Sequence, residues 1–97
     1  MDLIGREVFY TDGNKGFQSG KIKGFQLDYC DRPYFKVNDK WINYKRLFPS
    51  EKYLKERIEE YSRSVRWEDI HDMGNLFSGH CNFSVSIPFN EWKELFK

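Results

Sequence analysis

Alanine is absent from this 97-residue chain, and proline and cysteine are scarce, at three and two residues. Without alanine, larger side chains must fill the core. The two cysteines, Cys30 and Cys81, stand far apart. A disulfide scaffold and a close cysteine pair are thereby excluded, and with no signal peptide at the start they point to a reducing cytoplasm. No apolar run approaches the ~20 residues that a membrane-spanning helix needs. Charge of one sign is missing too: sixteen basic residues meet fifteen acidic ones, for a net charge of +1. That balance argues against a nucleic-acid footprint over the whole surface.

Aromatic rings are abundant instead, with nine Phe, six Tyr and three Trp. Rings fill a small core with few residues, while the polar tips of Tyr and Trp favour sites at a rim. Composition therefore fits a compact β-rich domain better than a helical bundle. The length allows one domain, residues 1–97, with a single core shared by its two halves. Residues 1–49 carry nine Lys/Arg and six Asp/Glu, and residues 50–97 carry seven and nine, so the first half is mildly basic and the second mildly acidic.

The stretch from Gly20 to Ser50 organises the chain as strands folding back on one another. Before it, Glu7–Thr11 alternates as a strand, and Asp12–Gly16 is a turn in which Gly and Asn supply positive φ. A second strand spans about Lys21 to Leu27, with Gly24 marking a bulge or bend. Asp28 to Pro33 reads as a polar loop, Tyr34–Val37 as the third strand, Asn38–Lys40 as a tight turn and Trp41–Tyr44 as the fourth strand. Four short strands at this spacing predict a small closed antiparallel barrel.

From Ser50 the period changes. Ser50 caps a helix over about 51–63, with Glu51 in its first turn, where the helix dipole favours negative charge. Leu54, Ile58, Tyr61 and Val65 make one apolar stripe, and Lys52/Glu56, Lys55/Glu59 and Glu59/Arg63 are opposite charges at helical spacing. Val65 and Trp67 begin an extended run, and Asp72–Asn75 reads as a turn. Asn82–Ile87 alternates as a half-buried strand ended by Pro88, after which Asn90 caps a short helix presenting Trp92, Leu95 and Phe96 on one face. The fold class expected is α+β: a barrel over about residues 4–49, a following helix, and a strand–helix extension packed on it.

Four pieces carry a likeness to known proteins: Ile4-Gly5-Arg6-Glu7-Val8-Phe9-Tyr10, Gly20-Lys21-Ile22-Lys23-Gly24, Tyr34-Phe35-Lys36-Val37, and Leu47-Phe48-Pro49-Ser50 running into a helix. In this order they resemble SH3-like barrels of the Tudor or KOW kind, and more narrowly uncharacterised small bacterial and phage proteins built on one such barrel. The likeness covers about the first 60 residues. It implies a binding role more than a catalytic one, although a fold by itself does not fix a function.

Motifs for chemistry are weak. Gly16–Lys21 lacks both the spacing and the Ser or Thr that a phosphate-binding loop requires, so a glycine-rich turn accounts for it. His71, His80, Cys81 and Cys30 match no common zinc spacing, and adjacent residues on a strand point to opposite faces. Glu68–Asp72 is a contiguous acidic run, which mostly faces solvent, whereas a metal site draws carboxylates from separate elements. No nucleophile–base pair or paired carboxylates stand out. The chain reads as a non-enzyme without cofactor or metal.

Binding is the reading that remains, and a protein partner comes first. Tyr29, Arg32, Tyr34, Trp41 and Tyr44 are the candidate contact residues, because aromatic anchors with a charged rim suit a protein interface. The sharper form of this expectation is a phage-encoded inhibitor of a host nuclease or defence complex. The alternative is a nucleic-acid-binding accessory protein, in which Lys21, Lys23, Lys36, Lys45 and Arg46, with Lys40 beside them, follow a backbone while Phe25, Tyr34, Trp41 and Tyr44 stack on bases. A Tudor-type cage for a methylated cation would draw on Tyr10, Tyr34, Trp41 and Tyr44.

Overall fold

Strand β1, Glu7–Asp12, is buried on both faces and so joins the two halves of the molecule. A computed structural model describes residues 3–64 and 73–97 of the chain. β1 pairs antiparallel with β2, Gly16–Lys21, in the register Glu7 to Lys21 through Asp12 to Gly16. A second sheet is built in the order β3-β4-β5 from Gly24–Leu27, Pro33–Val37 and Lys40–Asn43, with Phe25, Phe35 and Ile42 in line across it. Tyr44–Arg46 is a single turn of 3₁₀ helix. Three α-helices follow: α1 over Glu51–Ser64, α2 over Met73–Ser78 and α3 over Phe89–Glu94.

The result is a small α+β domain of two antiparallel sheets and helices, and the described residues form no closed barrel. The strand expected over Lys21–Leu27 is divided. Ile22 turns inward and bonds to the chain before β1, with Gly5 N–H donating to Ile22 C=O (2.7 Å) and Ile22 N–H to Arg6 C=O (2.9 Å). Lys23 N–H then donates to the Lys36 carbonyl (2.8 Å), although Gly24 is the register partner of Lys36. Two residues thus oppose one, the bend that glycine signalled. Pro33 enters β4 as its first residue, a position where the missing N–H is tolerated.

The β4–β5 hairpin closes through Asn38 and Asp39, both at positive φ (51° and 62°), as a two-residue turn of the strand twist requires. The Asn38 side chain donates to Tyr10 Oη (3.0 Å) and Ser19 C=O (2.9 Å), which pins this turn onto the first sheet. Gly20 makes the approach possible, since a Cβ there would lie 2.6 Å from Asn38 Oδ1. In the β1–β2 turn the positive φ falls on Gly16 and not on Asn14, whose N–H is instead held by the Asp12 carboxylate (2.8 Å).

Alternation along β1 feeds two cores. Val8 and Tyr10 join Ile22, Phe35, Val37, Ile42 and Leu47 between the sheets, where Trp92 and Phe96 of the C-terminal segment close the base. Phe9 points the other way, to a second core of Phe48, Leu54, Ile58, Leu76 and Phe83 under α1 and α2. Each buried aliphatic side chain there stabilises the fold by about 1.5–3 kcal/mol. Ser50 caps α1 as expected, its Oγ accepting from Tyr53 N–H (3.1 Å), and Leu54 and Ile58 form the buried stripe. On the wet side Glu59 pairs with Arg63 (3.7 Å), while Lys55 pairs with Glu51 (3.1 Å) rather than with Glu59.

The C-terminal half departs further from expectation. Residues 82–87 alternate in burial but join no sheet: Phe83 N–H bonds to the Thr11 side chain rather than to the β1 backbone, and Val85 N–H bonds to Lys45 in the 3₁₀ turn. Met73–Asn75 belong to α2 and not to a turn; Val65, Trp67 and Asp72 lie outside the described residues. α3 is capped at Pro88 with no side-chain cap bond, two residues ahead of the expected cap at Asn90, and Trp92 N–H closes back on Pro88 C=O (3.0 Å).

Candidate functional site

The outward face of the β3–β5 sheet carries the most distinctive exposed chemistry. The period of two and the register place Gly24, Lys36 and Trp41 in one row, and Gln26, Tyr34 and Asn43 in the next. Phe35 and Ile42, one residue removed, are buried in the core, so these two rows face solvent. Trp41 lies across the bare backbone of Gly24: a Cβ there would sit 3.2 Å from its ring. The indole stays 43% exposed in that seat. Tyr34 is its diagonal neighbour on the same face, half-buried, with Lys36 between them.

The β3–β4 loop extends this face. Asp28 holds the loop by accepting from Cys30 N–H (2.8 Å), Arg32 N–H (2.9 Å) and Arg32 Nε (2.8 Å). The Arg32 backbone N–H foremost, then the Cys30 N–H and the Arg32 guanidinium, keep the Asp28 carboxyl below its ordinary range against some desolvation. Asp31 takes a positive φ of 59°, and the loop thrusts Tyr29 outward at 93% exposure. Tyr29, Arg32, Tyr34 and Trp41 thus belong to one sheet and its loop.

Tyr44 does not. The 3₁₀ turn swings it inward, where it is 7% exposed. Its hydroxyl donates to the Ile87 carbonyl (2.7 Å), and its ring packs edge-on to Phe89 and Trp92 at 5.1 and 5.7 Å. Tyr44 is therefore a core residue tying the sheet to the C-terminal segment. The cage reading falls with it: Tyr10 is also buried, so Tyr10, Tyr34, Trp41 and Tyr44 do not converge on an open mouth.

The cations scatter. Lys21 and Lys23 flank the buried Ile22 and are exposed, with Glu7 directly across from Lys21. Lys36 is half-buried beside Trp41. Lys45 is half-buried in the 3₁₀ turn, and Arg46 donates to Thr11 C=O (3.0 Å) and Asn82 Oδ1 (3.3 Å), a structural duty. Lys40 pairs with Asp12 at 3.0 Å. These two, with Trp41 and Arg46, line a cleft of about 330 Å³ between the ends of β1 and β5. The Asn14 N–H first, then Lys40, hold the Asp12 carboxyl below its ordinary value, so the carboxylate stays ionised at neutral pH beside its cationic partner.

Among the described residues no group of three His, Cys, Asp or Glu side chains could hold a metal. His80 Nδ1 lies 3.0 Å from Ser78 Oγ, Cys30 is exposed in its loop and Cys81 packs on the second core. His71 and the acidic run Glu68–Asp72 lie outside the described residues. No described helix is long and apolar enough to cross a membrane.

Sequence reasoning missed how open the β3 edge is. Phe25 packs on Phe35 (5.1 Å) and yet is 48% exposed, and Leu27 beyond it is also exposed. Their alternation in Gly24–Leu27 was visible, whereas the position of that strand at a sheet edge depends on long-range pairing. Comparison with protein families, with curated proteins and with solved structures gives no match for this chain.

Proposed function

We propose that this chain is a non-enzymatic binding module that engages a protein partner through the Tyr34–Trp41 face and the Tyr29 loop. The observation that carries the reading is the seat of Trp41 on Gly24, where a large ring packs against bare backbone and stays open to solvent. A ring already fixed in place loses little entropy when a partner covers it, and such rings serve as interface anchors. Lys36 and Arg32 supply a charged rim around them.

An SH3-like arrangement of the two sheets is part of the proposal. In its support, Phe9 and Phe48 exchange both backbone bonds (2.9 Å each), and at the other end Ile22 bonds to Gly5 and Arg6 while Lys23 bonds to Lys36. The specific form of the proposal is a cytoplasmic inhibitor, of phage origin, docking on a host nuclease or defence complex; the small size and the likeness of the first 60 residues support it.

The alternative, nucleic-acid binding, draws support only from the exposed pair Lys21 and Lys23. Fluorescence anisotropy with labelled single- and double-stranded DNA and RNA at low and high salt separates the two. The protein-partner reading expects no binding that weakens steeply with salt; micromolar, salt-sensitive binding would replace it with the lysine reading.

A further inference from the structure

Phe83–Ile87 is an extended segment bonded along one edge, and its other edge carries no hydrogen bond among the described residues. Phe83 N–H donates to Thr11 Oγ1 (2.9 Å), Val85 N–H to Lys45 C=O (3.0 Å), and Ile87 C=O accepts from the Tyr44 hydroxyl (2.7 Å). Bonding at every second residue marks an extended chain, in which successive backbone groups point to opposite edges. The N–H and C=O groups of Ser84 and Ser86 therefore point away from Thr11 and Lys45, and among the described residues they make no hydrogen bond. Along the segment runs a cleft of about 510 Å³, walled on its other side by Tyr53, Arg57 and Tyr61 of α1.

The lining states what would fit. Tyr61 is 46% exposed and meets Phe83 edge-on (5.8 Å), and Val85 and Ile87 are half-buried, so the cleft offers aromatic and aliphatic surface. Arg57 is the cation of the wall. Its guanidinium lies over the Tyr53 ring (4.9 Å), its Nη1 meets a mostly exposed Glu60 (3.0 Å), and its Nε, though buried, has no acceptor. Glu60 is a weak competitor for it, since an exposed ion pair contributes little.

We propose that this open edge and its cleft receive an extended acidic peptide of a partner protein, added as a strand beside Ser84–Ser86. Backbone bonds to Ser84 and Ser86 hold the strand, a carboxylate takes Arg57, and a neighbouring apolar side chain rests on Tyr61 and Ile87. This site is separate from the Tyr34–Trp41 face, and neither depends on the other.

The test is selection of short randomised peptides, displayed on a carrier, against the full chain. Selected peptides are expected to carry Asp or Glu between apolar residues and to slow amide exchange at Ser84 and Ser86. Arg57→Gln should weaken them about tenfold, the loss of one charge-assisted hydrogen bond, and Ser86→Pro should do so by removing an edge N–H; amide spectra report that each variant is folded. The proposal is overturned if no peptide is enriched, if selected peptides bind both folded variants as well as the natural chain, or if their protection falls on Trp41. Protection of Ser84 and Ser86 that rises with protein concentration alone would make the occupant a second copy and equally overturn it.

Discussion

The indole N–H of Trp92 donates to the backbone carbonyl of Leu47 at 2.8 Å, and both residues are fully buried. This bond fixes the C-terminal helix beneath the sheets, with the Trp92 ring packed on Phe35 (5.2 Å), Phe89 (5.6 Å) and Phe96 (4.7 Å). Arg6 adds a second tie, its guanidinium donating to the Phe96 carbonyl. Replacing Trp92 by Phe keeps a ring but orphans the Leu47 carbonyl. The expected loss is about 1–3 kcal/mol, the cost of a buried unsatisfied polar group, read as a lower urea midpoint with unchanged slope.

Thr11 offers a matching test at the other end of the C-terminal segment. Its side chain is fully buried and its Oγ1 accepts the Phe83 N–H at 2.9 Å. Thr11→Val keeps the shape and removes the acceptor, so stability should fall by about 1–3 kcal/mol. Amide exchange at Phe83 should accelerate more than at Val8, whose burial does not depend on that bond. Equal acceleration at both would show that Thr11 acts only through global stability.

Gly24 should behave differently. Its φ lies outside the left-handed region, so alanine is sterically allowed there except for the ring 3.2 Å away. Gly24→Ala should change folding stability by less than about 1 kcal/mol while displacing the Trp41 indole, seen as a shift of its N–H resonance. An unmoved indole would mean that the seat is looser than its geometry shows.

Acid should weaken the fold through Asp12. Its folded pKa lies below the ordinary value of 3.8, chiefly through the Asn14 N–H and then Lys40. A depressed carboxylate contributes stability that is present above the unfolded value and lost as pH falls through the folded one. Asp12→Asn should therefore be less stable than the natural chain near neutral pH and should approach it as pH drops below about 4. Urea titrations across that range check the sign.

Much of the fold was legible because it rests on local chemistry. Ser50 and the Leu54–Ile58 stripe announced α1, and Asn38-Asp39 announced the tight turn between β4 and β5. What failed was non-local. The alternation of Phe83, Val85 and Ile87 predicted correctly which side chains turn inward, yet a period of two cannot reveal whether an edge finds a strand or only Thr11 and Lys45. Tyr44 failed for a related reason: its ring type fits a rim or a core, and only the 3₁₀ turn that follows β5 decides. Tyr34 and Trp41 were legible as surface residues, but their meeting on one face depends on the β4–β5 register, set by the two-residue turn.

The most direct measurement is affinity capture from host lysate, with and without nuclease treatment, using the natural chain, Trp41→Ala and Lys21→Glu/Lys23→Glu side by side. The account predicts one partner retained by the natural chain and by the lysine variant, and lost with Trp41→Ala, since truncating an anchor costs about 2 kcal/mol or more. Rim charges change mainly the rate of association. Retention that survives Trp41→Ala but vanishes with the lysine variant, or with nuclease, would contradict it.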